Sequence, residues 1–235
     1  MPLFHSKRNE NLTEWMDRPD CNPELLSNTY AQFAGINRLL SGWEKIYRQH
    51  LKPVFEQKSG RSTVLDIGCG GGDIIRMLHG LCRQDGLQVS FTGIDPDERA
   101  LHFVDNLKEH PDIQFSAVTS QDLVHENRKF DVVISNHLIH HLKRHELKSL
   151  CSDAALLAEH LVLFSDIERS DVGYAAFAIF APLLFRNSYI VKDGLISIKR
   201  SFRKDELQEI LGSEWLVKRQ FPFRLQAIHH ELANE

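Results

Sequence analysis

The sequence predicts an α/β protein built on a doubly wound, mostly parallel β-sheet. Short apolar segments with strand character alternate along the chain with segments of helical periodicity, which is the order that a parallel sheet with crossover helices requires. The first of these strands, Val64 to Ile67, is almost continuously apolar, as expected of a strand that is covered on both faces. It leads directly into a glycine-rich turn, and a helix follows.

The turn has the spacing G-x-G-x-G, formed by Gly68, Gly70 and Gly72, and it is flanked by Asp66 and Asp73. Glycine permits backbone conformations with positive φ and lets a ligand approach the main chain closely. A dinucleotide-binding turn has the spacing G-x-G-x-x-G, and a phosphate-binding P-loop ends in G-K-[ST]; neither pattern is present. The turn therefore indicates a nucleotide-like ligand that carries positive charge and no phosphate.

A second strand, over 89–94, ends at Asp95, which is followed by Pro96. In a doubly wound sheet, an acid at the tip of the second strand faces the ribose of the ligand and accepts hydrogen bonds from its hydroxyl groups. The alternative is that Asp95 caps the helix predicted over 98–108.

The fourth strand, over 130–136, ends at Asn136 and precedes a group of histidines. We predict a helix there, in which His137 shares a face with His140 and His141 because these residues are three and four positions apart. The remaining predicted elements are strands over 113–118 and 160–167, a helix over 203–211, and strands around 215–217 and 223–228.

These segments resemble the class I S-adenosylmethionine (SAM)-dependent methyltransferases. The resemblance rests on V-L-D-I-G-C-G-G-G-D over 64–73, G-I-D-P-D over 93–97 and F-D-V-V over 130–133, which follow one another in the family's order. It implies a Rossmann-like methyltransferase fold with a seven-stranded, mostly parallel sheet. It also implies that SAM is the methyl donor and that S-adenosylhomocysteine (SAH) is the product.

The resemblance places the cofactor site at the ends of the strands. Thr119 stands where the family more often has an acid, so the adenine is expected to be read by Gln121, Asp122 or backbone atoms, although Asp122 is equally well explained as a helix cap. Asn136 is expected beside the methionine part of SAM. The predicted cofactor residues are Asp66, Gly68, Cys69, Gly70, Gly72, Asp95, Pro96, Ser120, Gln121, Asp122 and Asn136.

We predict a single methyltransferase domain over 1–235. It consists of an N-terminal helical extension (1–58), the SAM-binding core (61–167), a helical lid or substrate insertion (168–202), and a C-terminal helix with strands (203–235). An apolar run over 172–185 lies inside the insertion. It fits a buried core or homodimer interface, a pocket for a hydrophobic acceptor, or contact with a membrane surface.

Composition narrows the class of protein. The chain has 235 residues and a net charge of −4, which argues against an enzyme that binds nucleic acid through a broad positive field. The four cysteines are scattered, so no structural metal is expected. Neither a signal peptide nor an apolar stretch of membrane-spanning length is present, so we expect a cytoplasmic protein without a membrane span.

The predicted function is O-methylation of a small, hydrophobic, phenolic acceptor. SAM supplies an activated methyl group, so the enzyme has to align the acceptor and remove the proton of its hydroxyl group. The candidate bases are His137, His140 and His141, since histidine titrates near neutral pH; the alternatives are that these histidines only pack or cap a helix, or that they bind a metal, for which the glutamate of an H-E-x-x-H motif is missing. N- or C-methylation of another small molecule and a non-catalytic SAM-fold binding or scaffold module are the alternative functions.

Overall fold

Seven strands form one sheet in the computed structural model, which describes residues 4–108 and 110–230. The outer ends of the predicted segments 1–58 and 203–235 therefore lie outside the described residues. The strands are β1 (Ser62–Ile67), β2 (Val89–Ile94), β3 (Ile113–Ser116), β4 (Phe130–Asn136), β5 (Ala158–Ile167), β6 (Leu216–Gln220) and β7 (Arg224–His230).

The strand order is β3-β2-β1-β4-β5-β7-β6. Strands β1 to β5 pair in parallel, and β7 runs antiparallel to both β5 and β6. This arrangement confirms the predicted fold class. The order reverses between β1 and β4, and a crevice at the carboxyl ends of the strands at such a point is where doubly wound sheets bind their ligands.

Helices cover both faces of the sheet. They are α1 (Pro23–Leu40), α2 (Trp43–Ile46), α3 (Lys52–Gln57), α4 (Asp73–Gln84), α5 (Glu98–Asp105), α6 (Ser120–His125), α7 (Arg144–Leu157), α8 (Asp171–Leu184), α9 (Ile190–Arg200) and α10 (Lys204–Leu211), with a π-helical turn, Tyr47–Leu51, between α2 and α3. Successive residues of one strand enter different cores: Val133 packs with α7 and α10, whereas Val132 and Ile134 pack with α2 and α4. The apolar runs of the sequence are thus explained by burial on both faces.

The N-terminal extension is helical, as predicted. Asn22 caps α1 by accepting a hydrogen bond from the Leu25 amide, with Pro23 in the first turn. Gly35 lies within α1 and does not interrupt it, whereas Gly42 separates α1 from α2. The φ of Gly42 is +69°, and a Cβ there would collide with the side chain of Gln220. The break turns the chain so that Trp43 enters the core.

The prediction that a helix carries the three histidines is wrong. His137 has a φ of +59°, which a right-handed helix does not accommodate, and only Ile139–His141 form a single 3₁₀ turn before α7 begins at Arg144. The histidine rings are therefore oriented by separate contacts and not by a common helical face. Two other elements are shorter than predicted, since α5 ends at Asp105 and β3 ends at Ser116.

The insertion over 168–202 forms α8 and α9, which pack against each other. Phe177 of α8 lies against Gly194 of α9, where a Cβ would approach its ring to 2.5 Å. The apolar run is not a fully buried core segment, because five of its side chains are between 61% and 69% exposed: Val172, Ile179, Phe180, Leu183 and Leu184. Within the described residues, no helix is long and apolar enough to cross a membrane.

Candidate functional site

The candidate site begins where β1 ends. Asp66 is only 2% exposed, and its Oδ1 has no hydrogen-bond partner among the described residues. Burial, reinforced by the charges of Asp73 and Asp95, raises the pKa of Asp66 well above its usual range. A buried acceptor of this kind is costly unless something binds to it, so Asp66 stays a candidate for contact with a ligand.

The glycine turn has the conformation that its spacing predicts. Gly68, Gly70 and Gly72 have φ values of +71°, +50° and +70°, in the region that residues with a Cβ adopt rarely. The turn is tied to the second strand, because the amides of Gly68 and Cys69 donate to the Ile94 carbonyl at 2.8 and 3.1 Å. Cys69 itself is buried, and burial raises the pKa of its thiol well above normal, which fits a packing role for its side chain.

Asp95 lies beside the turn, at the tip of β2. Its Oδ2 accepts from the Gly70 amide at 3.0 Å, and its Oδ1 accepts from the Asp97 amide at 3.0 Å. Each carboxylate oxygen has a second lone pair, so both can still accept from a ligand hydroxyl. Asp97, which follows Pro96, caps α5 by accepting from the Arg99 amide, so the cap is supplied by Asp97.

Three carboxylates thus surround the turn. Burial raises the pKa of Asp73 and of Asp95 as it does that of Asp66, and Asn37 donates to Asp73 at 2.8 Å. Among the described residues, none of the three forms an ion pair with a lysine, an arginine or a histidine. A cluster of one buried and two partly buried acids without an ion pair fits a cationic ligand such as the sulfonium and ammonium groups of SAM.

The N-terminal extension covers the turn. Tyr30 of α1 is buried, and a Cβ at Gly71 would lie 3.2 Å from that of Tyr30. Leu138 closes the other side, 3.1 Å from a Cβ built on Gly68. Helix α1 and the turn after β4 therefore enclose the site from two directions.

The segment predicted to contact adenine begins α6. Thr119 and Asp122 form a capping box in which Asp122 accepts from the amide and hydroxyl of Thr119. Ser120 donates to Asp153 at 2.7 Å. The cap accounts for Asp122, and an adenine contact by Ser120, Gln121 or Asp122 stays a prediction.

Asn136 stands at the end of β4 in a polar network. Its Oδ1 accepts from the Trp43 indole at 3.0 Å and from Arg224 at 2.7 Å. Arg224 also donates to the Ser165 hydroxyl. Burial lowers the pKa of Arg224 to about 10, so it remains a cation at neutral pH. Because two donors fix the amide of Asn136, this side chain is held in one orientation toward the crevice.

His137 follows Asn136 and is partly exposed. Arg224 lies 2.8 Å from His137 Nε2, and because arginine can only donate, Nε2 is the acceptor and the ring proton is on Nδ1. Burial and the charge of Arg224 lower the pKa of His137 well below its usual range. His137 is therefore neutral, its basic nitrogen is occupied, and it presents an N–H group.

His140 is fully buried between two acids. Its Nδ1 lies 2.7 Å from Asp166 and its Nε2 lies 3.2 Å from Glu14. Burial opposes the charged ring, but these carboxylates outweigh it and raise the pKa of His140 to about 9. Protonated on both nitrogens at neutral pH, His140 is unsuited to accept a proton and instead ties Glu14 of the N-terminal segment to β5.

His141 differs from the other two histidines. It is about one quarter exposed, and its Nδ1 lies 3.1 Å from Asp17. Its Nε2 is 3.8 Å from Glu14, which is beyond hydrogen-bonding distance. It therefore pairs an orienting carboxylate with an available nitrogen, three residues after Leu138, which packs on the cofactor turn.

The sequence prediction missed the acids and the cation that control these histidines. Glu14, Asp17, Asp166 and Arg224 come from the N-terminal segment and from β5 and β7, far from the histidines in sequence. No sequence motif marks these residues as buried polar partners of the histidines. Only the acid that ends the apolar strand β5, Asp166, offered a local signal.

Comparison with known protein families gave a match. Residues 64–159 match the model of a family described as a methyltransferase domain. A comparison with curated proteins gave no match.

Solved structures show the same fold at low sequence identity. The plantazolicin methyltransferase BpumL in complex with SAH is 15% identical, with 91% of each chain covered and a TM-score of 0.62. The CurJ carbon methyltransferase is 10% identical, with 92% of this chain and 62% of that chain covered and a TM-score of 0.62. An O-methyltransferase family protein from Burkholderia thailandensis is 14% identical, with 88% and 59% covered and a TM-score of 0.57.

The raised pKa of the buried His140 predicts that the stability of the folded protein depends on pH. The pKa of His140 is about 9 in the folded protein and about 6.5 in an unfolded chain, so its stabilising contribution is complete below pH 6.5 and is lost as the pH rises through 9. We expect the free energy of unfolding to fall by roughly 3 kcal/mol over this interval. Urea unfolding at pH 6.5 and pH 9.5 measures it.

The matched controls are His140→Gln, which should lose this fall, and His145→Gln on the exposed face of α7, which should keep it. A parallel decline in all three proteins would contradict the protonated state of His140.

Proposed function

We propose that this chain, whose residues 64–159 form a methyltransferase domain of the class I SAM-dependent enzymes, methylates an oxygen atom of a small, hydrophobic, phenolic acceptor. The observation that carries the proposal is the pair His141 and Asp17, a partly exposed histidine oriented by a carboxylate beside the cofactor turn. A phenol is mostly protonated at neutral pH, and such a pair is suited to remove its proton.

The described residues fit SAM. The unpartnered Oδ1 of Asp66 and the unpaired acids around the turn suit its positive charges, and Asp95 retains lone pairs for the ribose hydroxyls. When bound, SAM supplies a methyl group that its sulfonium already activates. Asn136, held by Trp43 and Arg224, is assigned to the methionine end of the cofactor.

The protein's own contribution is then alignment and proton removal. His141 Nε2 takes the hydroxyl proton, and Asp17 holds the ring through Nδ1 so that Nε2 keeps its lone pair. His137 cannot serve in this way, because Arg224 occupies its Nε2, but its Nδ1–H can donate a hydrogen bond to the acceptor. His140 acts through Glu14, which it holds in the wall of the site.

The acceptor is assigned to the region between α1 and α8. Gln32 of α1 donates to the Arg186 carbonyl just after α8, and the far end of α1 meets β6, where Gln220 donates to Ser41. The start of α8 lies against Phe223, close to the same end of β6. At a rise of about 1.5 Å per residue, the stretch from Gln32 to Ser41 is about 14 Å long and the stretch from Gly173 to Arg186 is about 20 Å long, so both helices extend between these two places.

Several exposed side chains that border this region are apolar. They are Leu39 and Leu40 of α1, Phe221 and Phe223 of the turn between β6 and β7, and the open face of α8. Apolar surface of this extent is unusual in a region without a partner and is typical of a binding site. A hydrophobic acceptor that covers it is the occupant we propose.

The direct test of the proposal is a screen with methyl-labelled SAM against a panel of phenols, amines and activated carbon acids. Transfer to phenolic oxygen supports the proposal. Transfer only to nitrogen or carbon would keep the methyltransferase and contradict the acceptor class. No transfer to any compound, with SAM bound, would favour a binding or scaffold module.

Among single substitutions of the histidines, that of His141, the proposed base, should lower turnover the most. We expect His141→Ala to lower turnover of a phenol by roughly 10²–10⁴-fold at neutral pH, with SAM affinity unchanged and partial recovery at high pH, where the phenol ionises by itself. Steady-state kinetics across pH measure this. His145→Ala, on the exposed face of α7, is the control; near-normal turnover by His141→Ala would mean that the site works by alignment alone.

A substitution on the open face of α8 should weaken binding of the acceptor and leave binding of the cofactor unchanged. We expect Leu183→Ser to raise the KM of the acceptor several-fold because it removes apolar contact area, while the Kd for SAM and the Tm stay nearly unchanged, since Leu183 is exposed. Phe177→Ser is the contrasting variant, because it should lower the Tm by disrupting the packing on Gly194. An unchanged acceptor KM in Leu183→Ser would remove α8 from the acceptor site.

A further inference from the structure

A second cluster of ligating side chains lies at the opposite end of the sheet from the cofactor turn. His79 belongs to α4, while His110 and Asp112 lie just before β3. His79 Nε2 is 3.9 Å from Asp112 Oδ2, and His110 Nδ1 is 3.7 Å from the same oxygen. The two imidazole rings are 4.0 Å apart between centroids. We call these three residues the His79 cluster.

The atoms that face one another in the cluster are poorly satisfied. His79 is only 8% exposed, yet its Nε2 has no hydrogen-bond partner among the described residues. The distances of 3.7 and 3.9 Å are too long for hydrogen bonds to Asp112. His110 Nδ1 accepts only a long bond, 3.3 Å, from the Asp112 amide. A buried imidazole nitrogen without a partner calls for a group that the protein itself does not supply.

We propose that the His79 cluster binds a zinc ion. Two imidazole nitrogens and one carboxylate oxygen form a ligand set that zinc accepts, and the three ligand atoms lie within 4.8 Å of one another. With metal–ligand distances of about 2.0–2.1 Å, ligand atoms around tetrahedral zinc are roughly 3.3–3.4 Å apart. The two histidine–carboxylate distances exceed that separation by about 0.3–0.6 Å, and the separation of the two histidine nitrogens, at most 4.8 Å, exceeds it by no more than about 1.5 Å, so zinc would draw the three side chains together.

The surroundings meet the other requirements of a zinc site. Arg61 donates to Asp112 Oδ1, which leaves Oδ2 directed at the two histidines and orients the carboxylate from outside. An adjoining cavity of about 240 Å³, lined in part by His79, Gly86 and Asp112, leaves room for water as a further ligand.

The same surroundings set the strength and the consequence of binding. Arg83 lines the cavity, and its charge opposes a cation there, so we expect weaker affinity than that of a four-ligand structural site. The bound ion would join the later half of α4 to the start of β3. The glycine turn is at the beginning of α4, and Phe115 of β3 lies under Gly72, so the ion would brace the edge of the sheet that supports the turn.

Zinc binding to tag-free protein tests the proposal without any assay of methyl transfer. We expect calorimetry with zinc chloride to detect binding to the unmodified chain and zinc to raise its Tm reversibly with a chelator. His110→Gln and His79→Gln should each lose this site, with affinity reduced by at least about tenfold. His125→Gln, an exposed histidine on α6, is the matched control and should bind as the unmodified protein does.

His110→Gln is the decisive variant because His110 is partly exposed, so its loss should not prevent folding. Equal zinc affinity in His110→Gln and the unmodified protein, or no binding to either, would overturn the proposal. So would loss of zinc binding only in His141→Gln, which would assign the ion to Glu14, His140 and His141. A Tm raised by inorganic phosphate and not by zinc would make the cavity an anion site and would also overturn it.

Discussion

The structure depends on three carboxylates, one buried and two partly buried, that share the glycine turn and form no ion pair with a protein cation among the described residues. Burying an unpaired charge costs several kcal/mol, and the cost is reflected in the raised pKa values of Asp66, Asp73 and Asp95. In the function that we propose, the positive charges of the ligand complete this cluster. The left-handed glycines and the helices that cover them position this cluster at the reversal point of the sheet.

In the rest of the site, the buried charges are balanced by other charged groups of the protein. Glu14, His140, Asp166 and Arg224 form a chain of alternating charge, in which His140 and Arg224 neutralise the two acids. This chain attaches the N-terminal segment to the carboxyl ends of the strands and fixes the protonation states of His137 and His140. It leaves His141 as the histidine with an available nitrogen, so the neighbours of each ring, and not its position in a motif, determine its chemistry.

The sequence was sufficient where the relevant contacts are local. The glycine turn, Asp66 and Asp95 follow from strand-turn-helix patterns within thirty residues, and the sheet follows from apolar runs that are buried on both faces. The histidine helix failed because spacing of three and four residues does not reveal the left-handed backbone of His137. Glu14 and Arg224 were beyond prediction, since their contacts join segments about 90 to 130 residues apart.

Calorimetry of SAM binding at pH 6 in buffers of different ionisation enthalpy tests the central claim most directly. If the acids around the turn hold protons because they are buried together, a cationic ligand should displace part of them. We predict that SAM binds with release of protons to the buffer and that Asp66→Asn binds it with less release. Absence of binding, or binding by the unmodified protein with the same proton release as Asp66→Asn, would contradict the account.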